Sequence, residues 1–369
     1  MTSPATRLGY AMVNDVQNPS PRNDCTIRDP DIPMYSTTLR VLDNGEHDQD
    51  RELLNGRIAA FRERSPSARP RQLLPHTQAR QLTLCEGIPE IQPEELDPAT
   101  LEYCLCNHGA MIVRGLIAPE TAAELRELCD RVIDRCATAL GTPADDTPRG
   151  AYYDPPDILR EIMQGAELAY SRGFHNTSGS AMCVEAPVVA EALLRFYTEL
   201  GLYELLRSYL GEEPCLTAKK WVLRRSVLPV SPAGWHQDGA FMGTDISSVN
   251  LWLPLSRCGG DTGAPGLDLI PARLNEIVSA EDAYFGWSVA PDTVDREFAG
   301  RAAVAPVFEA GDALFFDHYC LHRTQFREDL HQTRYALETW FFGSQSFPRN
   351  QVPLAWGDLA PGSDEAPTA

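Results

Sequence analysis

Residues 234–243 read GWHQDGAFMG, and the pair that decides the fold is His236 with Asp238, one residue apart. In a β-strand, residues i and i+2 project from one face. An imidazole and a carboxylate at that spacing meet a single cation at the mouth of a barrel. The third ligand then has to come from a facing strand. His318, His322 and His331 are the candidates in the last third of the chain, and FEAGDALFFDHYCLHRTQF puts His322 at the end of an apolar run. His318 and His322 are read as lying on one face of a continuous strand, where the two compete for the third position. Two imidazoles and one carboxylate on one face suit a mononuclear non-haem Fe(II) centre, with positions left for a co-substrate and O2.

A bare His-x-Asp arises often by chance. What strengthens it is Arg334, which follows His322 and opens the apolar run RYALETWFF. A guanidinium on a barrel wall clamps a remote carboxylate through two parallel hydrogen bonds. The far end of 2-oxoglutarate is held in that way. Arg327 lies nearer His322, but in the polar stretch REDLHQT, where a solvated loop charge is expected.

Outward from the motif, the chain changes texture near Cys215. Beyond it stand short apolar runs punctuated by Gly and Pro: KKWVLRRSVLPV, VNLWLPLS, APGLDLIP, AAVAPVFEAGDALFF and RYALETWFF. Strands at this spacing predict an antiparallel sandwich or barrel. Before Cys215 the pattern is helical. GAMIVRGL (109–116) reads as a strand, and the segment behind Pro119 carries Leu125, Leu128, Val132, Cys136 and Leu140 at helical spacing. A loop is expected over 141–156. A further helix is expected from Pro187, with Leu193, Leu194 and Tyr197, and another in YELLRSYLG ending at Gly211.

Residues 1–85 are rich in Pro, Arg, Asp and Asn and read as an extended or partly disordered arm, with a short helix around 51–62. The catalytic domain is expected over 86–347, its helical part at 86–214 and its barrel at 215–347. Residues 348–369 read as a C-terminal tail.

Composition narrows the function classes. The net charge of −20 argues against nucleic acid and anionic membranes as partners, because phosphates are repelled. No run of about 18 apolar residues occurs, and the N-terminus lacks an apolar leader. Ten Cys without a CxxC read as free thiols in a reducing compartment, so a cytoplasmic protein is expected. His108 and His175 read as core histidines, and Lys219 as a solvated strand end.

Together, WHQDG, VNLWLPLS, GLDLIPARL, GDALFFDHYCLHRT with the following Arg, and the earlier GAMIVRGLIAPETAAELRELCD resemble the phytanoyl-CoA dioxygenase family of Fe(II)- and 2-oxoglutarate-dependent oxygenases. The resemblance spans roughly Gln92 to Phe347. It implies an α+β chain with a double-stranded β-helix (jelly-roll, cupin-like) core and N-terminal helices packed against it. It also implies His236, Asp238 and His322 as iron ligands and Arg334 as the 2-oxoglutarate arginine. Thr324, Trp252 and Trp221 match further co-substrate positions. Phe241 and Met242, just past the ligands, would shape the substrate mouth. The chain departs from the family at GGDTGAPGLDLIPARL, where Asn-Gly followed by Pro-Gly-Ser-His is more usual. Halogenating relatives replace the carboxylate ligand with a small residue. Asp238 is present here, which favours hydroxylation.

The implied cofactor is Fe(II), with 2-oxoglutarate and O2 as co-substrates and succinate and CO2 as by-products. The expected reaction is hydroxylation of an aliphatic C–H of a small molecule. Desaturation, cyclisation or epimerisation at the same iron is the first alternative, and a cupin-like binding protein without turnover the second. A homodimer through the N-terminal arm is the expected assembly.

Overall fold

The computed structural model describes residues 47–71, 74–142, 149–231, 234–278 and 286–357. Its helices are α1 (His47–Ala59), α2 (Pro98–His108), α3 (Pro119–Leu140), α4 (Ile158–Ile162), α5 (Gln164–Thr177), α6 (Pro187–Glu199), α7 (Leu202–Leu210), the short α8 (Gly239–Met242) and α9 (Pro291–Glu297). The strands of the first half are β1 (Thr83–Cys85), β2 (Ile88–Ile91), β3 (Ala110–Val113), β4 (Ser180–Met182), β5 (Pro214–Arg225) and β6 (Trp235–His236). Those of the second half are β7 (Ser248–Pro254), β8 (Leu267–Leu269), β9 (Ser288–Val289), β10 (Ala313–Phe316), β11 (His322–Thr324), β12 (Tyr335–Gly343) and β13 (Pro353–Ala355).

Local chemistry explains the helices that carry the scaffold. Asp97 caps α2, its carboxylate accepting from the Thr100 amide, and Pro98 follows at the first helical position. Gly109 ends the helix in the left-handed region at φ 82°, which glycine adopts without penalty. The α3 stripe buries Leu125, Leu128 and Val132 as the sequence predicts, and Cys129 beside them, while Cys136 is half-buried and Leu140, at its end, is exposed.

Two sheets make the β-helix. The larger runs β1-β2-β3-β10-β7-β12-β5-β13 with β4 added on β5, and the smaller runs β8-β11-β6-β9. Pairing is antiparallel except for β2 with β3. This is an α+β chain with a cupin-like double-stranded β-helix core and helices against its outer face.

Side-chain alternation sorts the large sheet into two faces. On β5, Trp221 and Leu223 point outward into the main apolar core with α3, α6 and α7. Lys220 and Arg224 point the other way, into a cavity. On β12, Leu337 and Phe341 join the outer core, while Glu338, and Arg334 just before the strand, share the cavity with Asn250 and Trp252 of β7. Burying the outer stripe is what holds the sheet against the helices, at roughly 25 cal/mol per Å² of apolar surface removed from water.

Two elements outside the 86–347 span expected for the domain are built into it. Helix α1 packs on α6 and β13, and Arg57 forks onto Glu191 at 2.7 and 2.9 Å. Strand β13 pairs with β5 through Leu354 opposite Leu216. The folded unit therefore runs past both expected boundaries. Residues 1–46 of the arm and 358–369 of the tail lie outside the described residues.

Candidate active site

The first ligand pair comes from β6 and the turn after it. His236 ends β6, and Asp238 begins the short helix α8. Gly239 is required there by close approach. A Cβ on it would stand 2.9 Å from Ile277 Cδ1 and 3.0 Å from the His318 ring and carbonyl oxygen. The facing strand β11 puts His322 directly opposite His236, with ring centroids 4.4 Å apart. The His322 Nε2 lies 3.5 Å from Asp238 Oδ2. The ligand atoms of His236, Asp238 and His322 all lie within 4.8 Å of one another.

The hydrogen bonds fix which nitrogen faces the cluster. His236 Nδ1 lies 2.9 Å from the Gly234 carbonyl and His322 Nδ1 lies 3.0 Å from the Cys320 carbonyl. A carbonyl only accepts, so each Nδ1 carries the proton and each Nε2 presents a lone pair. Burial pulls the His236 pKa down to about 4, with His322 acting in the same direction. Burial pushes the Asp238 carboxyl up, but Lys220, His322 and His236 more than reverse it and hold it at about 2. In the neutral rings two lone pairs and a carboxylate thus converge on one point. That donor set fits a divalent cation, and its nitrogen-and-oxygen composition fits Fe(II).

Behind the cluster the cavity measures about 430 Å³ and is lined by both sheets and by α5. Arg334 sits on its wall, 5% exposed, and forms no ion pair among the described residues. Its Nη1 donates to the Gly266 carbonyl at 3.3 Å, and its Nε has no partner. Burial pulls its pKa down to about 10. A buried guanidinium without a counter-charge is costly unless an anion completes it. A carboxylate such as that of 2-oxoglutarate fits. Trp252 packs beside it, with the guanidinium 5.7 Å from the ring centroid, and Thr324 lines the same cavity.

The structure does not bring every expected residue to the site. Trp221 is fully buried on the opposite face of β5, donating to Tyr197 Oη at 3.3 Å. Met242 is turned into the apolar core beside Ile246, whereas Phe241 does line the cavity. His318 is buried, with Nδ1 2.7 Å from Ser248 Oγ, and stands outside the ligand cluster. The strand expected to join His318 to His322 is broken. Strand β10 ends at Phe316 in the large sheet, and the chain turns before β11 begins in the small one. Arg327 and His331 lie in the loop, Arg327 paired with Asp329. Lys219 is half-buried rather than solvated, 2.8 Å from Glu167.

Other cavity residues are not singled out for the site by the sequence, although Lys220 and Arg224 read there as part of a local basic strip. Lys220 donates to Asp238 Oδ1 at 2.7 Å and lies 4.3 Å from the Phe241 ring centroid. Arg224 donates from Nε to Glu338 at 2.6 Å. Burial raises the Glu338 pKa, but Arg224 and Lys220 bring it below the usual carboxylate value. Trp287 stacks edge-on against His236 and Phe241. His175 hydrogen-bonds Ser180 as a core histidine would, yet also lines the cavity.

The family whose sequence profile the chain matches places it among the Fe(II)- and 2-oxoglutarate-dependent oxygenases. Within them it belongs to the phytanoyl-CoA dioxygenase (PhyH) family, whose sequence profile matches residues 105–326. Its cofactor and co-substrates are accordingly Fe(II), 2-oxoglutarate and O2. No curated protein matches the chain. Similar solved structures include EctD from S. alaskensis with 2-oxoglutarate and 5-hydroxyectoine, at 15% identity and TM-score 0.46, covering 77% of this chain and 86% of that one. The carbocyclase SnoK of nogalamycin biosynthesis aligns at 12% identity and TM-score 0.42, covering 68% and 86%. The epimerase SnoN of the same pathway aligns at 14% and 0.42, covering 74% and 94%. No described helix is long and apolar enough to cross a membrane.

Proposed function

We propose that the protein hydroxylates an aliphatic C–H of a small-molecule substrate in this cavity. The observation that carries the reading is the pairing of two incomplete charge sites in one enclosure. Three ligand atoms converge at the mouth, and Arg334 stands uncompensated on the wall. In this reading His236, Asp238 and His322 hold Fe(II), and Arg334 takes the remote carboxylate of 2-oxoglutarate beside Trp252 and Thr324. Together with 2-oxoglutarate and O2, the iron supplies oxidative decarboxylation to succinate and CO2 and an oxygen atom for the substrate.

The protein's own contribution is geometry and exclusion. The two backbone carbonyls that accept from Nδ1 hold both imidazoles in the ligating tautomer. Lys220 holds Oδ1 of Asp238, leaving Oδ2 toward the imidazoles. Trp287 packs against His236 with Phe241 behind it, and the two rings limit water at the mouth. The intact carboxylate ligand favours hydroxyl over halogen as the group delivered. We also read the protein as cytoplasmic, its nine described cysteines being free thiols, and any self-association as a property of residues 1–85.

The experiment is incubation with candidate substrates under ¹⁸O2, with Fe(II) and 2-oxoglutarate. Succinate release with one ¹⁸O in the product is the expected result. A product that has lost two hydrogens and gained no oxygen would replace hydroxylation by desaturation or ring closure. No succinate at all would point to a binding protein.

A further inference from the structure

The charges lining the cavity do not cancel. Lys219, Lys220, Arg224 and Arg334 face Asp238 and Glu338. Lys219 is answered by Glu167. The charges of Fe(II) and of the 2-oxoglutarate dianion offset each other. One positive charge is left over among the described residues, inside a chain whose net charge is −20. An excess charge held partly out of water favours an anion beside it.

The surplus has an identifiable place. Lys220 and Arg224 share one face of β5, and Glu338 stands opposite on β12. Lys220 uses one proton on Asp238 Oδ1 and has two more to give. Arg224 spends Nε on Glu338, and neither of its terminal nitrogens forms a hydrogen bond among the described residues. An ammonium and an open guanidinium fork therefore border the same space. Around them stand Tyr170, Phe174, Phe241 and Trp287. Tyr170 and Phe174 are largely exposed on α5, an arrangement a globular core would not choose.

Resting on the reading of the site given above, we propose that the substrate is a monocarboxylate with an apolar body, its acid group taken up by Lys220 and the Arg224 fork. A carboxylate matches the single surplus charge. A phosphate monoester, at roughly −1.5 to −2, overshoots it, which disfavours phosphate-bearing thioesters inside the cavity. The fork geometry suits a planar carboxylate bound through both oxygens.

The test uses the protein loaded with Fe(II) and 2-oxoglutarate in the absence of O2. The probes are small acids with their primary amides, from acetate and acetamide to 4-phenylbutanoate and 4-phenylbutanamide. Binding is read as perturbation of the iron-to-2-oxoglutarate charge-transfer band. At least one acid is expected to bind about tenfold or more tightly than its amide, as one charge-assisted bond allows. Lys220→Gln should reduce that preference to about twofold or less, and so should Arg224→Gln combined with Glu338→Gln. The double variant leaves Asp238 untouched and removes no net charge, so it serves even if Lys220→Gln folds poorly. The proposal is overturned if no acid binds, if acid and amide bind alike, or if the preference survives both changes. Loss of the band itself in the double variant would assign the fork to 2-oxoglutarate and also overturn it. A parent protein that forms no band would instead overturn the site reading, and this proposal with it.

Discussion

His322 stands directly across the β-ladder from His236, and their ring centroids lie 4.4 Å apart. Cross-strand pairing thus brings two imidazoles from distant parts of the chain to one point, and Asp238 supplies the charge. Asp238→Ala is expected to lower Fe(II) affinity by more than the roughly 10–100-fold typical of losing an outer-shell partner. The fold should persist, because Lys220 faces the cavity and can be hydrated. Anaerobic Fe(II) titration with circular dichroism checks both halves. Native-rate succinate production by Asp238→Ala would remove it from the ligand set.

The two late histidines should separate cleanly. His322→Ala is expected to abolish metal binding and turnover. His318→Ala loses the bond to Ser248 and some packing, a stability cost of about 1–3 kcal/mol, but keeps all three ligands. Its Fe(II) titration should stay near that of the parent. Equal iron binding in the parent and His322→Ala would transfer the assignment to His318.

His175 gives a pH prediction on stability. Burial, with Arg224 adding to it, pulls its pKa from the ordinary histidine range down to about 3. Between about pH 6.5 and 3 the unfolded chain binds a proton at this residue that the folded one refuses. Stability therefore rises with pH through that window and falls on acidification. From pH 7 to pH 5 the loss is about 2 kcal/mol, at 1.36 kcal/mol per unit below the unfolded value. His175→Gln, which keeps a polar group beside Ser180, should show a correspondingly shallower loss in urea unfolding. Parallel curves for the parent and the variant would show that His175 charges freely in the fold.

Much of the site was legible because each of its two halves is a short stretch of sequence with its own pattern. The spacing of His236 and Asp238, and the apolar runs before His322 and after Arg334, survive without tertiary knowledge. What the sequence concealed was which face each β5 residue takes. A strand shifted by one residue exchanges its faces. The ladder between β12 and β5 contains such an irregularity between Thr339 and Phe341. The family resemblance points to Trp221 at the co-substrate, whereas its neighbour Lys220 occupies the cavity. The break between β10 and β11 was hidden for a similar reason, since FFDHYCLHRT reads as one apolar strand and carries no Gly or Pro to mark the turn. Helix α5 was missed altogether. Only Leu168 and His175 of it are buried, so it lacks the apolar stripe that reveals α3.

Arg334 separates the co-substrate from the metal, and so carries the prediction that discriminates best. Its side chain is not among the residues that meet at the ligand cluster, and its only hydrogen bond from the guanidinium among the described residues is the long one to Gly266. A carboxylate arriving there gains charge-assisted hydrogen bonds, worth about 1.5–3 kcal/mol. At 1.4 kcal/mol per decade that is about a ten- to hundredfold change in affinity. Arg334→Ala should raise the 2-oxoglutarate midpoint by at least that factor and leave Fe(II) affinity nearly intact. Lys at this position should rescue only partly, because a point charge does not reproduce the planar fork. The measurement is a 2-oxoglutarate titration of the charge-transfer band without O2. An unchanged midpoint in Arg334→Ala would pass the clamp to Arg224, the other guanidinium on the cavity wall with open terminal nitrogens.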